Sequence, residues 1–128
     1  MKGGKGRVYT SYLALLKKMP ENAIKLLVVR YPPKIKQEVP NLHLVKELAP
    51  SEELFKEHRS NKNWELYVEK FKKELETPKA QKYLSRIVER VNEGETVFLI
   101  CYEKEHERCH RSVLADHLMQ SGVCCSEW

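Results

Sequence analysis

The sequence lacks most of the features that mark membrane proteins and disulfide scaffolds. It has no run of about 18 apolar residues, so we expect no transmembrane helix and no membrane partner. The first residues, MKGGKGRVYTSYL, are basic and rich in glycine but too polar for the apolar segment of a signal peptide. Four cysteines are few for a disulfide scaffold of 128 residues. We therefore predict a cytoplasmic protein with reduced thiols.

The sequence also lacks internal repeats and low-complexity tracts, and its length suits one domain with one core. We predict a single α/β domain over residues 1–128. Within it, we expect residues 1–6 to be a flexible basic start and residues 51–93 to be a helical segment. The oligomeric state does not follow from the sequence.

Neither sign of charge dominates strongly, because 23 Lys and Arg residues face 18 Asp and Glu residues and give a formal net charge of +5. Lysine and glutamate alternate along the helical segments, which indicates solvated ion-pair faces and is also associated with proteins of thermophiles. The positive charge keeps open an alternative function, a nucleic-acid-binding module that uses the basic start with Lys34 and Lys36. Acidic residues interrupt most basic runs and dilute this signal.

Apolar runs and stop signals predict alternating strands and helices. Residues 7–10 begin as a strand and pass into a helix, with Thr10 or Ser11 as its N-cap and Pro20 at its end. Residues 23–30, AIKLLVVR, and residues 96–101, TVFLIC, are continuous apolar runs typical of strands buried on both faces.

The remaining segments complete an α/β pattern. Residues 35–51 lack a strong period and favour a covering loop with at most a short strand or turn. Helical stripes follow between Ser51 and Gly94 and again after Cys109, and VCCSEW is a short final strand at the sheet edge or against the last helix. We predict a small open, mostly parallel sheet flanked by helices, with a helical insertion between the second and third main strands.

The carboxyl ends of the strands concentrate reactive side chains. In open α/β sheets ligands bind outside these ends, so we expect Thr10, Ser11, Arg30, Cys101 and Glu103 to gather there. The structural alternatives are ordinary: Cys101 is a small core side chain, and Thr10 and Ser11 only cap a helix.

The start of the last helix adds a second group of reactive side chains. Its first residues are Cys109, His110, Arg111 and Ser112, and free amides at a helix N-terminus favour an anion and lower the pKa of a nearby thiol. Arg111, with Arg30 from the neighbouring strand end, would bind phosphate or carboxylate. The alternative for Arg111 is a simple ion pair with Glu103 or Glu107.

A thiol nucleophile and a metal ion are rival explanations of the same cluster. A phosphatase-like loop is disfavoured because the first arginine after Cys101 is Arg108, one residue too far, and the loop is rich in Lys and Glu. A thiol nucleophile of another kind, with His110 as base, stays open. Zinc would find enough donors, but no C-x-x-C pair exists, and Cys109 and His110 would diverge by about 100° on a helix. We therefore predict neither a metal nor a cofactor.

Several stretches together resemble the domain of unknown function 488 family. They are CYE at 101–103, CHRSVLADHL at 109–118, VVRYPP at 28–33, and the ELAPSEELF and NWELYVEKFKKEL blocks between. The resemblance covers residues 7–120 and implies a bacterial or archaeal single-domain α/β protein, of the branch with a longer helical insertion. It implies no reaction.

The family pattern singles out residues that agree with the strand-end cluster, namely Thr10, Ser11, Arg30, Cys101, Glu103, Cys109, His110 and Arg111. One departure matters, because many relatives have an aspartate one or two residues before the arginine of the second strand, where Val28 and Val29 stand here. Glu103 is then the remaining carboxylate for acid or base chemistry.

We therefore expect a small enzyme or ligand-binding protein with a pocket for a small anion, such as a phosphorylated molecule or a carboxylate. Catalysis falls to Cys101, Glu103, Cys109 and His110, with a cysteine as thiolate and Glu103 or His110 as proton carrier. Ligand binding falls to Thr10, Ser11, Arg30, Arg111 and Ser112. The alternatives are the nucleic-acid-binding module and a structural protein that binds zinc.

Overall fold

A sheet of five parallel strands organises the chain. The structure, a computed structural model, describes residues 6–31, 33–35, 38–102 and 109–128. In these residues the elements are β1 (Val8–Tyr12), a 3-10 helix (Leu13–Lys18), β2 (Ile24–Leu27), β3 (Leu42–Leu44), a 3-10 turn (Lys46–Leu48), α1 (Glu52–Asn61), α2 (Trp64–Glu74), α3 (Pro78–Asn92), β4 (Val97–Cys101), α4 (His110–Gln120) and β5 (Cys125–Glu127). The strand order is β3-β2-β4-β1-β5, and every pair is parallel. The predicted α/β class is confirmed.

Strand β4 lies at the centre of the sheet because its five residues are all apolar and all buried. Successive side chains point to opposite faces, so β4 feeds two apolar clusters. Leu99 and Cys101 belong to the larger one, which packs against the four α-helices, and Phe98 and Ile100 belong to the smaller one.

The predicted helical insertion is confirmed, and Ser51 and Gly94 lie at its two ends as predicted. Ser51 caps α1 by accepting a hydrogen bond from the Leu54 N–H at 3.1 Å. Pro78 is the first residue of α3, where a missing N–H costs nothing, and Gly94 follows the helix with φ of +93°. None of the helices in the described ranges has the length and apolar character needed to cross a membrane.

The predicted helix after the first strand is wrong. Thr10 and Ser11 are strand residues and do not cap a helix, because β1 continues to pair with β4 as far as Tyr12 opposite Cys101. Only the 3-10 helix Leu13–Lys18 follows. The segment predicted as a covering loop contains β3, and the final segment pairs with β1 as the edge strand β5.

Residues 1–5 of the expected flexible start lie outside the described residues, so that prediction stays untested. Gly6 itself is held, because its N–H donates to the Val91 carbonyl at 2.8 Å. A side chain at this position would collide with the backbone, since an added Cβ would lie 1.8 Å from the Glu95 oxygen.

Candidate functional site

The carboxyl ends of β1, β2 and β4 meet the start of α4 at one edge of the sheet. Cys101 is the last residue of β4 and pairs with Tyr12. Val28 follows the last residue of β2 and still pairs with β4, because its N–H donates to the Ile100 carbonyl at 3.0 Å. The register therefore places Val28 beside Cys101, and Arg30 follows two residues after Val28 at the same end of the sheet.

Cys101, Cys109 and His110 come together at this edge. Their potential ligand atoms all lie within 4.8 Å of one another, and Cys101 Sγ lies 3.4 Å from His110 Nε2. The expectation that Cys109 and His110 diverge is wrong, because Cys109 precedes α4 with extended backbone angles, φ −116° and ψ 144°. The angular spacing of a helix does not apply to a residue outside it. The His110 Nε2 atom also contacts the Val28 carbonyl oxygen.

The surroundings of Cys109 favour its thiolate. They lower its pKa to about 3, with a hydrogen bond from Cys101 as the largest cause, while burial opposes the shift. A hydrogen bond and the charge of His110, and a hydrogen bond from the Arg111 backbone, lower this pKa further. Cys109 is therefore the thiolate of the pair, and Cys101 donates to it.

Arg111 is fully buried and reaches Cys109 from the side of α4. Its Nη1 atom lies 3.6 Å from Cys109 Sγ. The rest of the guanidinium binds the carboxylate of Glu127 on β5 with two contacts, Nε to Oε1 at 3.2 Å and Nη2 to Oε2 at 2.8 Å. Thr10 donates to the same carboxylate at 2.6 Å, and the guanidinium lies over the Tyr12 ring. Glu127 was not found in the sequence, since no motif or spacing links it to Arg111.

Thr10 and Ser11 lie on opposite faces of β1. Successive strand residues point to opposite faces, so Ser11 points away from the carboxylate that Thr10 binds. Ser11 Oγ is buried without a hydrogen-bond partner among the described residues. Ser112 closes the first turn of α4, with its hydroxyl donating to the Cys109 carbonyl at 2.8 Å. The predicted ligand-binding roles of these residues stay predictions.

A cavity of about 170 Å³ opens beside the thiol cluster. Its described walls contain Cys109 and His110, together with the side chains of Arg30 and Arg59. Arg30 is held in place because its Nε donates to the Pro50 carbonyl at 2.8 Å. The remaining walls are largely aromatic and come from Tyr31, Phe55, His58, Tyr67 and Tyr102. Arg59 was missed because one arginine on a charged helix carries no sequence signal.

Glu103 and the loop residues 104–108 lie outside the described residues, so the predicted carboxylate is not placed. Lys36 and the basic start also lie outside, while Lys34 is exposed. The nucleic-acid alternative therefore stays a prediction. Cys124 is exposed and Cys125 half-buried on the edge strand, and neither belongs to the cluster of potential ligand atoms found in the described residues.

The three clustered side chains could supply three of the four donors that zinc uses. One observation weighs against a metal. The fixed positive charge of Arg111 lies 3.6 Å from Cys109 Sγ and would repel a cation bound there.

Comparison with known proteins gives one family. The model of DUF488-N3a, described as the active DUF488-N3 subclade, matches residues 8–122. No curated protein and no solved structure matches the chain.

Proposed function

The chain belongs to the DUF488-N3a family, and we propose that it is a small enzyme whose Cys109 thiolate attacks a small anionic substrate. The observation that carries the proposal is a cysteine with a lowered pKa that borders a cavity with two arginines in its walls. The word "active" in the description of the subclade supports catalysis over a purely structural role.

The roles of the clustered residues follow from their contacts. A thiolate is the reactive form of cysteine, and Cys109 has the lowered pKa that such a nucleophile needs. His110 touches both the cluster and the cavity, so it carries the proton to or from the substrate. Glu103, two residues after Cys101, is the second proposed proton carrier. Cys101 holds the thiolate through its hydrogen bond.

Arg111 acts on the thiolate in this proposal, although the sequence had suggested that it binds substrate. Its side chain is fully buried and its guanidinium is engaged by Glu127, so its positive charge serves the neighbouring sulfur. Arg30 and Arg59, which line the cavity, take over the binding of the anion. A guanidinium fork is well suited to phosphate or carboxylate.

The size of the cavity limits the substrate. An apolar cavity of about 150 Å³ holds a molecule such as benzene, and the volume here is about 170 Å³. Drug-sized ligands need about 300 Å³ or more. The aromatic walls add apolar contact next to the arginines. We therefore infer a substrate with an anionic group and only a few additional non-hydrogen atoms inside the cavity.

A pair of alkylating reagents tests this proposal directly. Iodoacetate and iodoacetamide are nearly equal in size, but only iodoacetate carries a negative charge. The experiment uses a Cys124→Ser, Cys125→Ser background, so that Cys101 and Cys109 are the remaining thiols, and peptide mapping assigns the modified sulfur. The measured quantity is the iodoacetate-to-iodoacetamide rate ratio of Cys109, divided by the same ratio for N-acetylcysteine.

The proposal expects this normalised ratio to be well above unity, because the arginines attract the anionic reagent. Arg30→Gln and Arg59→Gln should each lower it toward unity and should make it less dependent on salt. Arg86→Gln is the matched control, since Arg86 is an exposed arginine of α3 that does not line this cavity. A ratio near unity in the parent, or an equal fall in all three variants, would refute the anion pocket.

A further inference from the structure

Cys101 is a buried thiol without a chemical step of its own in the proposed reaction. Its side chain is 0% exposed, whereas Cys109 borders the cavity at 3% exposure. Among the described residues, Cys109 lines the cavity and Cys101 does not, so a reagent that enters the cavity meets Cys109 first. Such an arrangement of an accessible thiolate backed by a second thiol is typical of cysteines that form a disulfide after oxidation.

The two sulfur atoms are close enough for this reaction. They lie within 4.8 Å of each other, and a disulfide bond is about 2.05 Å long. The sulfurs must therefore approach by at most about 2.8 Å. The Cys109 carbonyl accepts hydrogen bonds from Ser112 at the start of α4, so the approach of the sulfurs falls to rotation of the cysteine side chains. Cys101 is fixed at the end of a central strand.

We propose that Cys101 and Cys109 form a redox site, in which a hydroperoxide oxidises Cys109 and Cys101 then closes a disulfide. This inference rests on the reactive thiolate of the proposed function. The disulfide removes the nucleophile, so oxidation switches the enzyme off, and reduction by a dithiol restores it.

The chemistry balances in two steps. The Cys109 thiolate attacks one peroxide oxygen, the O–O bond breaks, and the leaving oxygen takes a proton to become water or an alcohol, which leaves a sulfenic acid on Cys109. The Cys101 sulfur then attacks the Cys109 sulfur, the S–O bond breaks, and the hydroxyl leaves as water with the thiol proton. The peroxide gains two electrons and the cysteine pair loses two.

The test exposes the full chain, in the Cys124→Ser, Cys125→Ser background, to hydrogen peroxide. Intact mass, free-thiol count and non-reducing peptide mapping follow the products. The inference expects a mass lower by two hydrogen atoms, no free thiol, a peptide that links Cys101 to Cys109, and full reversal by dithiothreitol. Cys101→Ser and Cys101→Ala should instead stop at a sulfenic acid on Cys109, which dimedone traps.

The outcomes separate this inference from the proposed function. A parent protein that gives the dimedone adduct and no disulfide would overturn the redox pair and leave the reactive thiolate in place. A Cys109 that reacts no faster with peroxide than N-acetylcysteine at pH 5 would overturn both. Circular dichroism of the two Cys101 variants verifies that they are folded, and the parent disulfide map decides the result independently of them.

Discussion

The pH dependence of alkylation gives the sharpest quantitative prediction for Cys109. The perturbation is a change of pH from 8 to 5, measured with iodoacetamide in the Cys124→Ser, Cys125→Ser background. With a pKa of about 3, Cys109 stays almost wholly thiolate at both pH values. A free cysteine with a pKa of about 8.5 is only about 0.03% thiolate at pH 5 and roughly a quarter thiolate at pH 8.

These fractions set the expected rates. The rate of Cys109 should change by less than about twofold between pH 5 and pH 8, whereas N-acetylcysteine should speed up roughly 700-fold. A low pKa also weakens the thiolate as a nucleophile, because the logarithm of its rate constant falls by about 0.4 to 0.5 for each unit by which the pKa falls. Between a pKa of about 8.5 and one of about 3, the rate constant of the thiolate therefore falls roughly 150- to 600-fold. Before any effect of burial, Cys109 should then react about 5- to 20-fold faster than N-acetylcysteine at pH 5 and more slowly at pH 8.

Two variants test whether the hydrogen bond from Cys101 lowers the pKa of Cys109. This hydrogen bond is the largest cause of the lowered pKa, so Cys101→Ala should raise the pKa of Cys109 and restore a pH-dependent rate. Cys101→Ser keeps a hydroxyl donor and should preserve more of the flat profile. A rate of Cys109 in the parent protein that rises about tenfold per pH unit from pH 5 to pH 8, as expected for an ordinary thiol, would contradict the lowered pKa.

Three further predictions concern stability, measured as the free energy of unfolding in urea at pH 7. Glu127→Ala should destabilise the protein by about 1 to 3 kcal/mol, because it removes from the fully buried Arg111 the carboxylate that binds it, while the Cys109 sulfur still lies beside the guanidinium. Leu114→Ala should cost about 2 to 5 kcal/mol, since Leu114 is 0% exposed in the larger apolar cluster. Ser51→Ala should cost about 1 to 2 kcal/mol, because it removes the cap of α1 and the hydrogen bond to Glu74.

Exposed positions of the helices supply matched controls for these three changes. The control for Ser51→Ala is Ser60→Ala on α1. The control for Leu114→Ala is Met119→Ala on α4, and the control for Glu127→Ala is Glu69→Ala on α2. Each control removes a similar side chain from the surface. Each control should change the free energy of unfolding by no more than about 0.5 kcal/mol. Equal effects in a control and its partner would show that the named contact does not carry the stability assigned to it.

The low pKa of Cys109 also links stability to pH. The folded state holds this pKa at about 3, far below its unfolded value. The stabilisation is therefore fully present above the unfolded pKa, and it declines as pH falls until it is lost through the folded pKa. Cys109→Ser should remove this contribution, so the stability of the variant should depend less on pH between 4 and 8.

The sequence predicts the strands that are buried on both faces better than the segments that border them. Residues 97–101 are continuously apolar, and this composition alone favours a strand in the middle of a parallel sheet. The sequence wrongly predicts Thr10 and Ser11 as helix caps because capping propensity is local, while pairing with β4 is a contact between distant residues. The three-residue strand β3 is too short to show a period.

The thiol and histidine part of the site was predictable because its members lie on two segments that the fold must bring together. Cys101 ends a strand, and Cys109 with His110 begins the next helix, so their proximity follows from the topology. The convergence of Cys109 and His110 depends on one pair of backbone angles that no pattern reveals. Glu127 and Arg59 reach the site from the last strand and the helical insertion, so only the tertiary structure shows them.

The central claim is that the negative charge of Cys109 serves a reaction and not a bound metal ion. The most direct test is elemental analysis of untagged protein purified without oxygen, with the free thiols counted on the same sample. We expect far less than one metal ion per chain and four thiols that react with a thiol reagent after unfolding, since the chain has four cysteines. About one zinc or iron ion per chain, released only together with reactivity of Cys101 and Cys109, would contradict it.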